Sequence, residues 1–412
     1  REQATQATGK LTISNGAQLN LGNGDLWDAS TSTAGTGASI SSFTAVELDN
    51  GTIRIQNPDA TINNLTVTTN DGVINANDLA NDPTNYKINL IGNTTLNGNL
   101  TFRNQWNTCT EVENLTGSGN LIINGADRSD QNNSTFSILG ATDYTGEVQM
   151  TNKANNMTLS VAQDLGVNVR VQTTSGEINL SEIGSGNTAI LNGAVGGIKN
   201  GTVAANVTLV NTYNKAGIEI TSAADTNSVE YTGKVSGGGN YLIGATKTVT
   251  NDDQTESTVD VETNTTFSGD TSGYTGQMRI TRGEHNISFT GSATSMNNSW
   301  VVDNGATANV NLNHAAAATV SKAMSPEGTG VLNLTVTNSS DAGTKLAAGA
   351  KLNNLTVGDS TKLVLGGATS AATATLGDGA SLHFDGGTLN VDGSLTLNAL
   401  SIDLSKYSTD QE

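Results

Sequence analysis

The chain has 412 residues, of which 19 are Lys or Arg and 38 are Asp or Glu, so its formal net charge is 19 − 38 = −19. An acidic surface repels phosphate backbones and anionic lipid, so this balance disfavours binding to nucleic acid or to membrane surfaces. The single cysteine, Cys109, excludes an internal disulfide and a cysteine-based zinc site, and we expect it to be an isolated thiol in a loop.

The first predicted element covers Leu11–Gly24, LTISNGAQLNLGNG, in which two short alternating runs flank an Asn-Gly-Ala corner. Similar phrases return at Asp303–Leu312, Ala347–Gly358 and Gly377–Phe384. Alternation of apolar and polar residues predicts strands with one buried face, and Asn-Gly or Asp-Gly pairs supply the positive φ that tight corners need.

Further short alternating runs follow along the chain, and most of them end in Gly, Asn, Thr or Ser. They are Gly51–Asn57, Asn63–Thr69, Tyr86–Gly92, Thr95–Phe102, Asn120–Gly125, Val207–Asn211, Gly217–Ser222 and Val331–Asn338. The last hundred residues are the most regular part. Their predicted strands are Leu352–Val357, Thr361–Leu365, Ala374–Leu376, Leu382–Phe384, Leu389–Val391 and Leu395–Leu397.

Four stretches interrupt this rhythm and are predicted to be insertions that project from a regular scaffold. They are residues 27–42, 77–86, 251–260 and 314–328. The last of them is Ala-rich, and we expect it to carry one short helix. Binding sites are usually placed on projecting loops, so the insertions are the first candidates for recognition.

Internal repetition separates a solenoid from a sandwich. Leu115–Gly125 resembles Val235–Gly244, and Phe136–Met150 resembles Phe267–Ile280, in the same order. Gly119 and Gly239 are 120 residues apart, whereas Tyr144 and Tyr274 are 130 apart, so the second copy holds ten more residues. The acidic stretch at 251–260 has this length, and a solenoid tolerates such an insertion. A third Tyr-Thr-Gly lies at Tyr231–Gly233.

These patterns predict an all-β fold: one parallel β-solenoid over residues 1–412, an elongated rod with regular C-terminal coils at about 300–405. At about 20 residues per turn and ~4.8 Å between stacked strands, the rod would be on the order of 100 Å long. Small aliphatic side chains suit its narrow interior, and asparagine amides are expected to form hydrogen-bonded ladders at the corners.

The two copies, at about 94–150 and 229–289, resemble the autotransporter-associated β-strand repeat of bacterial autotransporter passenger domains. In the first copy the matching residues are Gly117, Gly119, Leu121, Gly140, Ala141, Tyr144, Thr145 and Gly146. In the second copy they are Gly237, Gly239, Tyr241, Tyr274, Thr275 and Gly276.

The resemblance implies a right-handed parallel β-helix that a Gram-negative bacterium exports across its outer membrane to the cell surface or the medium. It also implies a C-terminal β-barrel translocator outside this segment. The segment itself would not insert into a membrane. The polar N-terminus lacks a signal peptide. We therefore expect a mature chain or a fragment of a longer protein.

No pattern in the sequence predicts a catalytic, cofactor-binding or metal-binding residue. His285, His314 and His383 are far apart, and Gly358–Lys362 lacks the last glycine of a serine-protease Gly-Asp-Ser-Gly segment, so we expect a corner there. Asp252, Asp253 and Glu256 lack the aromatic neighbours of a sugar cleft, and are expected to form a solvated acidic loop. The segment Gly22–Trp27 is a single imperfect copy of a calcium repeat, and we expect a turn.

We therefore expect a non-catalytic adhesin or stalk that binds a host glycan, a host protein or neighbouring cells through its loops, and that self-associates along its faces. Two alternatives stay open. One is a β-helical polysaccharide-degrading enzyme, which would need convergent carboxylates and aromatic residues in a groove. The other is an architectural component of a surface layer or assembly, which would form oligomers as its concentration rises.

Overall fold

The computed structural model describes residues 9–21, 40–55, 59–76, 86–103, 108–124, 134–151, 157–172, 179–192, 201–210, 217–220, 227–290, 295–398 and 401–403. Parallel sheets form a β-solenoid of about 13 turns. This confirms the predicted all-β class and parallel solenoid. Within the described residues, no helix is long and apolar enough to cross a membrane.

The chain divides into two compact units, Arg1–Val195 and Gly196–Glu412. In the first unit, sheet 1 stacks Lys10–Ser14, Ala45–Asp49, Leu65–Val67, Tyr86–Leu96, Thr108–Gly117, Ser134–Ile138 and Met157–Val161, with Asp59–Asn63 and Ala141–Tyr144 at its side. Sheet 2 stacks Gln18–Leu21, Gly51–Ile55, Gly72–Asn75, Leu100–Arg103, Leu121–Asn124, Glu147–Thr151, Asn168–Val171 and Thr188–Asn192. A 3₁₀ turn, Leu180–Glu182, lies between its last two strands.

In the second unit, sheet 3 stacks Gly201–Val203, Asn227–Tyr231, Thr263–Phe267, Glu284–Thr290, Thr307–Asn313, Val331–Val336, Ala350–Val357, Ala368–Leu376 and Thr388–Val391, and Leu395–Leu397 also pairs with Ala368–Leu376. Sheet 4 stacks Gly217–Ile220, Asn240–Ile243, Gln277–Ile280 and Ser299–Val302. Sheet 5 stacks Ser295–Met296, Ala318–Val320, Thr344–Leu346, Lys362–Leu365, Ser381–Phe384 and Ser401–Asp403. Asn206–Val210 pairs with Val235–Gly237. An antiparallel hairpin joins Ala245–Thr250 to Glu256–Val261.

The alternating sequence dictates which side chains fill the coil. In Ala45–Asp49, Val46 and Leu48 are fully buried, whereas Glu47 between them points outward and pairs with Lys10 on the neighbouring rung. Burying one such aliphatic side chain contributes about 1.5–3 kcal/mol, and the solenoid repeats this contact on every turn. The core is therefore a stack of equivalent rows rather than a single cluster.

Each predicted strand of the last hundred residues lies in or overlaps an observed strand, although the run at 374–376 is only the end of Ala368–Leu376. The predicted run at 395–397 is the strand Leu395–Leu397, and the run at 389–391 lies in Thr388–Val391. The Asn-Gly corner of the first element also has its expected conformation, since φ is 57° at Asn15 and 75° at Gly16.

Two sequence-based expectations were wrong. The Ala-rich insertion at 314–328 contains no helix; it contributes the strand Ala318–Val320, paired with Ser295–Met296 and Thr344–Leu346. Its small side chains fit the coil, where stacking on both neighbours outweighs alanine's helix propensity. Cys109 lies in the strand Thr108–Gly117 rather than in a loop, paired with Lys87 and Thr135, and is half-buried as a free thiol.

A line of aromatic rings fills part of the second unit. Tyr231, Phe267 and Phe289 stack on successive rungs of sheet 3, with ring centroids 5.2 and 5.0 Å apart. Tyr241 and Trp300 meet this stack edge-on, Tyr241 from sheet 4. Only 4% of the chain is aromatic, so these five rings are a local concentration of large buried side chains in the second unit.

Candidate functional site

The two Tyr-Thr-Gly motifs occupy equivalent corners. The phenol of Tyr144 donates to the carbonyl oxygen of Glu147 at 2.9 Å, and that of Tyr274 donates to the carbonyl oxygen of Gln277 at the same distance. In both, the threonine N–H donates at 2.9 Å to a glycine carbonyl one rung below. The repeat detected in the sequence is therefore a repeat in structure, and its tyrosine is structural.

The third motif, at Tyr231–Gly233, plays a different role. Tyr231 is register partner of Phe267 inside sheet 3, and its phenolic oxygen accepts a 3.2 Å hydrogen bond from the phenol of Tyr241. Full burial raises the pKa of the Tyr231 phenol far above its usual range, so it stays protonated. This tyrosine belongs to the aromatic stack, and the motif letters alone do not distinguish the two roles.

Sheet 3 carries on its outer side a continuous asparagine ladder. The side-chain amide on each rung donates to the side-chain oxygen of the preceding rung, over 3.0, 3.1, 2.8 and 3.0 Å, and a threonine hydroxyl closes the row at 2.6 Å. The ladder consists of Asn264, Asn286, Asn309, Asn333, Asn354 and Thr373. Successive members are 19–24 residues apart, which is the length of one turn.

Two carboxylates bind the first part of the ladder. Glu262 Oε1 accepts from the amide of Asn286, and Glu284 Oε1 accepts from that of Asn309, both at 2.8 Å. Asn286 and Asn309 therefore use both amide hydrogens, one for a glutamate and one for the preceding asparagine, because an asparagine NH₂ has only two. This arrangement fixes the side chains and makes a regular, rigid surface.

A second outward row runs beside the ladder, two residues further along each strand. Its members are Thr266, Ser288, Asn311, Thr335, Thr356 and Thr375. Neighbouring rungs of a sheet are ~4.8 Å apart, and residues i and i+2 of a strand about 7 Å apart. The two rows together, called the ladder face below, are a flat grid of hydroxyl and amide groups.

The prediction of an asparagine ladder is therefore confirmed. The predicted position at corners was wrong for sheet 3, because there the amides lie within strands. Corners of the first unit carry a different form of ladder. There the side-chain oxygens of Asp71, Asn99 and Asn120 each accept the backbone N–H of the next rung, at 2.7, 3.1 and 2.9 Å. The oxygen thus holds the start of each following strand in register.

The acidic insertion lies in an antiparallel hairpin, Ala245–Val261, that leaves the coil between sheets 4 and 3. Its first strand pairs only with its second among the described residues, from Ala245 with Val261 to Thr250 with Glu256. The second strand is exposed along most of its length, and Val259 is an exposed apolar side chain. The expected loop is thus mostly strand, because alternating Thr and Val residues on both arms favour pairing.

The hairpin turn is held by its own polar groups. The N–H of Asn251 donates to the carbonyl of Thr255 at 2.8 Å, and Asp253 accepts from both the backbone and the hydroxyl of Thr255. These hydrogen bonds hold the pKa of the Asp253 carboxyl below its usual range, so it is ionised at neutral pH. Asp253 therefore fixes the turn.

The three histidines lie on different elements. His285, fully buried, has Nδ1 2.7 Å from the Thr263 hydroxyl and Nε2 2.5 Å from the Arg282 carbonyl. His314 is buried just after Thr307–Asn313, and His383 lies in sheet 5 paired with Val364 and Asp403. Burial lowers the pKa of His285. Its hydrogen bonds fit a neutral ring that ties Thr263 of sheet 3 to the corner at Arg282.

The segment Gly358–Lys362 forms the predicted corner, between Ala350–Val357 and Lys362–Leu365. Asp359 accepts the backbone N–H of Asp378 on the next rung at 2.8 Å, so its carboxylate supports stacking. The predicted turn at 22–27 lies outside the described residues, as do most of the insertion at 27–42 and residues 77–85 of the second insertion.

Within the part of the chain that the structure describes, no three His, Cys, Asp or Glu side chains are grouped so that they could hold a metal ion. Among the residues that the structure describes, the hairpin and the ladder face are the surfaces with distinctive chemistry. Comparison with family models, with curated proteins and with solved structures found no match to this chain.

Proposed function

We propose that this chain is the passenger of an autotransporter, displayed at or released from a Gram-negative cell surface, where it acts as a non-catalytic adhesin. The rigid solenoid serves as a stalk, and the hairpin Ala245–Val261 is the element that meets the ligand. The observation that carries the proposal is this hairpin, a preorganised exposed element that projects from the coil.

Energetic considerations support the hairpin as the contact element. Its turn is already ordered by Asn251, Asp253 and Thr255 before any ligand arrives. Because ordering a flexible loop opposes binding, a fixed loop retains more of its contact energy. The two matching Tyr-Thr-Gly corners support the assignment to autotransporter passengers, since they repeat the phrase that carries the resemblance.

The test uses purified chain on an array of glycans and extracellular-matrix proteins. Wild type is compared with a variant in which residues 246–260 are replaced by a two-residue Asn-Gly turn. A matched control replaces the corner residues Asp303–Ala306, which lie on the same unit, by another four-residue turn. Loss of a specific signal in the first variant alone supports the proposal, whereas equal binding by all three proteins contradicts it.

A second candidate function is architectural, with copies of the chain associating through the ladder face. The grid of hydroxyls and amides favours it, because flat polar sheet faces can hydrogen-bond to each other. A net charge of −19 opposes association, so raising the salt concentration should promote it. Sedimentation at 0.05 and 0.5 M NaCl tests this expectation. The double variant Thr335→Lys plus Thr356→Lys places positive charges on the ladder face. Oligomers that persist in this variant would contradict the architectural role.

A further inference from the structure

The second strand of the hairpin, Glu256–Val261, has an exposed edge whose backbone groups point outward. The pair Asn251 and Thr255 is joined by a backbone hydrogen bond of 2.8 Å. In an antiparallel ladder such pairs alternate with pairs whose N–H and C=O groups face away from the partner strand. Counting from that pair, Glu256 and Thr258 direct their backbone N–H and C=O groups away from Ala245–Thr250.

The base of the hairpin limits how much of this edge is accessible. Gly283, in the corner one rung further on, lies close to the Cβ atom of Asp260. The free part of the edge is therefore Glu256–Val259, towards the tip. An extended segment placed there could form up to four backbone hydrogen bonds, two at Glu256 and two at Thr258, which is the recognition mode of strand addition.

The side chains beside this edge define the chemistry of the partner. Glu256, Thr258 and Asp260 are exposed and alternate with Ser257 and Val259. The hairpin as a whole has one lysine and four acidic residues, a net charge of 1 − 4 = −3. Opposite charges on adjacent strands stabilise the pair by about 0.2–1 kcal/mol each, whereas like charges destabilise it.

We propose that Glu256–Val259 captures an extended cationic peptide segment, with basic and apolar residues in alternation, as a third strand of the hairpin. The basic residues lie beside Glu256 and Thr258, on the strand face that carries the Glu256 and Asp260 carboxylates, and the apolar residues lie beside Val259. Charge argues against a second copy of this chain as the occupant, because each copy has a net charge of −19 and brings an acidic hairpin. The inference rests on the hairpin being the contact element of the proposed adhesin and names the class of its partner.

The experiment uses a capped synthetic hexapeptide, Lys-Val-Lys-Val-Lys-Val, labelled for fluorescence anisotropy and titrated with the full chain. A second peptide has the same charge but is N-methylated on alternate residues, so that it cannot pair with a strand edge. Strand addition predicts at least roughly tenfold weaker binding of the methylated peptide, because a mismatched backbone group loses its hydrogen bond. Equal affinities for the two peptides would show charge attraction alone and overturn the proposal.

Two protein variants test the edge itself. Thr258→Pro removes the outward N–H but leaves the pairing inside the hairpin, because that N–H does not point at Ala245–Thr250. We expect roughly tenfold weaker binding for this variant. Thr258→Ala, which keeps the N–H, should bind within about twofold of wild type. If Thr258→Pro disturbs the fold, as circular dichroism would show, the methylated peptide still decides the question.

The charge contribution is measured with Glu256→Gln plus Asp260→Asn. This variant should bind the unmethylated peptide about three- to tenfold more weakly, with a shallower dependence on salt, because charged contacts are screened. An unchanged salt dependence would contradict the assigned partner. If the array signal needs the hairpin but the two peptides bind alike, the proposed function stands and this inference fails. If the peptide experiments give the expected results but the array signal does not depend on the hairpin, this inference stands and the proposed function fails.

Discussion

Tyr274 donates its phenolic hydrogen to the backbone carbonyl of Gln277 at 2.9 Å, folding its ring back across the corner that Thr275 and Gly276 form. The phenol is almost completely buried, and this burial raises its pKa far above the usual range. It therefore remains a donor at every pH at which the chain is folded. Because the same bond joins Tyr144 and Glu147 in the other unit, its contribution can be measured twice.

Removing this hydroxyl should cost little packing and one hydrogen bond. We expect Tyr274→Phe to lower the free energy of unfolding by about 1 kcal/mol, the usual net value of one hydrogen bond. The same substitution at Tyr144 should have an effect of similar size. Urea unfolding followed by circular dichroism measures both. A loss at one position without any at the other would show that the two corners are not equivalent in energy.

The glycine of the same corner should be far less tolerant. A Cβ at Gly276 would overlap the backbone carbonyl of Gly239 one rung below, and neither backbone can move without breaking the stack. We expect Gly276→Ala to destabilise the second unit by about 1–3 kcal/mol or more, as overpacking does. Gly238→Ala is the matched control, because its nearest neighbour would be the Thr275 hydroxyl at 3.7 Å. Comparable losses in the two variants, measured by urea unfolding, would contradict this explanation.

The asparagine ladder gives a third prediction. In Asn309→Asp, the new carboxylate faces Glu284 and the oxygen of Asn286, both of which are acceptors that the amide now satisfies. We expect a loss of about 1.5–3 kcal/mol at pH 7, because two hydrogen bonds become repulsive contacts. The loss should shrink at acidic pH, where the introduced carboxylate becomes protonated and can donate again.

Asn311→Asp, on the same strand, is the control for this prediction. Its side-chain oxygen accepts a hydrogen bond from the Thr337 hydroxyl at 3.3 Å, and a carboxylate accepts equally well. This variant should stay within about 0.5 kcal/mol of wild type. Similar losses in the two aspartate variants would mean that added negative charge, rather than the ladder, determines the result.

The ladder also shows what the sequence could and could not reveal. Alternation identifies which residues face outward, so the strand containing Asn309 was predictable from VNL-type runs alone. The pairing of Asn309 with Asn286 and Asn333 was not, because it depends on turn lengths that vary between 19 and 24 residues. The lengths of the corners therefore set which residues pair between rungs, and these lengths do not repeat regularly along the sequence.

The hairpin and the Ala-rich segment also show where local sequence no longer predicts structure and contacts with neighbouring strands decide it. Extra length and acidity located the insertion at 251–260, but the first arm, Ala245–Thr250, resembled any other strand of the coil. At Ala318–Val320, alanine composition favoured a helix, and only the neighbouring rungs at Ser295–Met296 and Thr344–Leu346 explain the strand. Local propensity fails where stacking partners contribute more than the backbone preference.

His285 leads to a prediction about pH. Burial lowers the pKa of its imidazole below the usual 6.5. This effect outweighs the opposing effects of the Arg282 carbonyl and of the carboxylates of Asp260, Glu262 and Glu284. The unfolded chain therefore binds a proton at a higher pH than the folded chain does. Stability from the neutral ring is complete above pH 6.5 and decreases as the pH falls from there towards the folded-state pKa.

The urea midpoint of wild type should therefore fall between pH 7.5 and pH 5.5. In His285→Gln, which remains neutral, the decrease over this range should be smaller. Carboxylates held below their usual pKa, such as Glu147 beside Arg170, contribute only at lower pH, because their stabilisation persists until the pH approaches 4.5. The interval from 7.5 to 5.5 therefore separates histidine from these carboxylates, and the comparison with His285→Gln measures the share of His285. If the urea midpoint of the variant decreased as steeply, groups other than His285 would set the acid sensitivity. The His285 ring would then have the same proton affinity in the folded and unfolded chains.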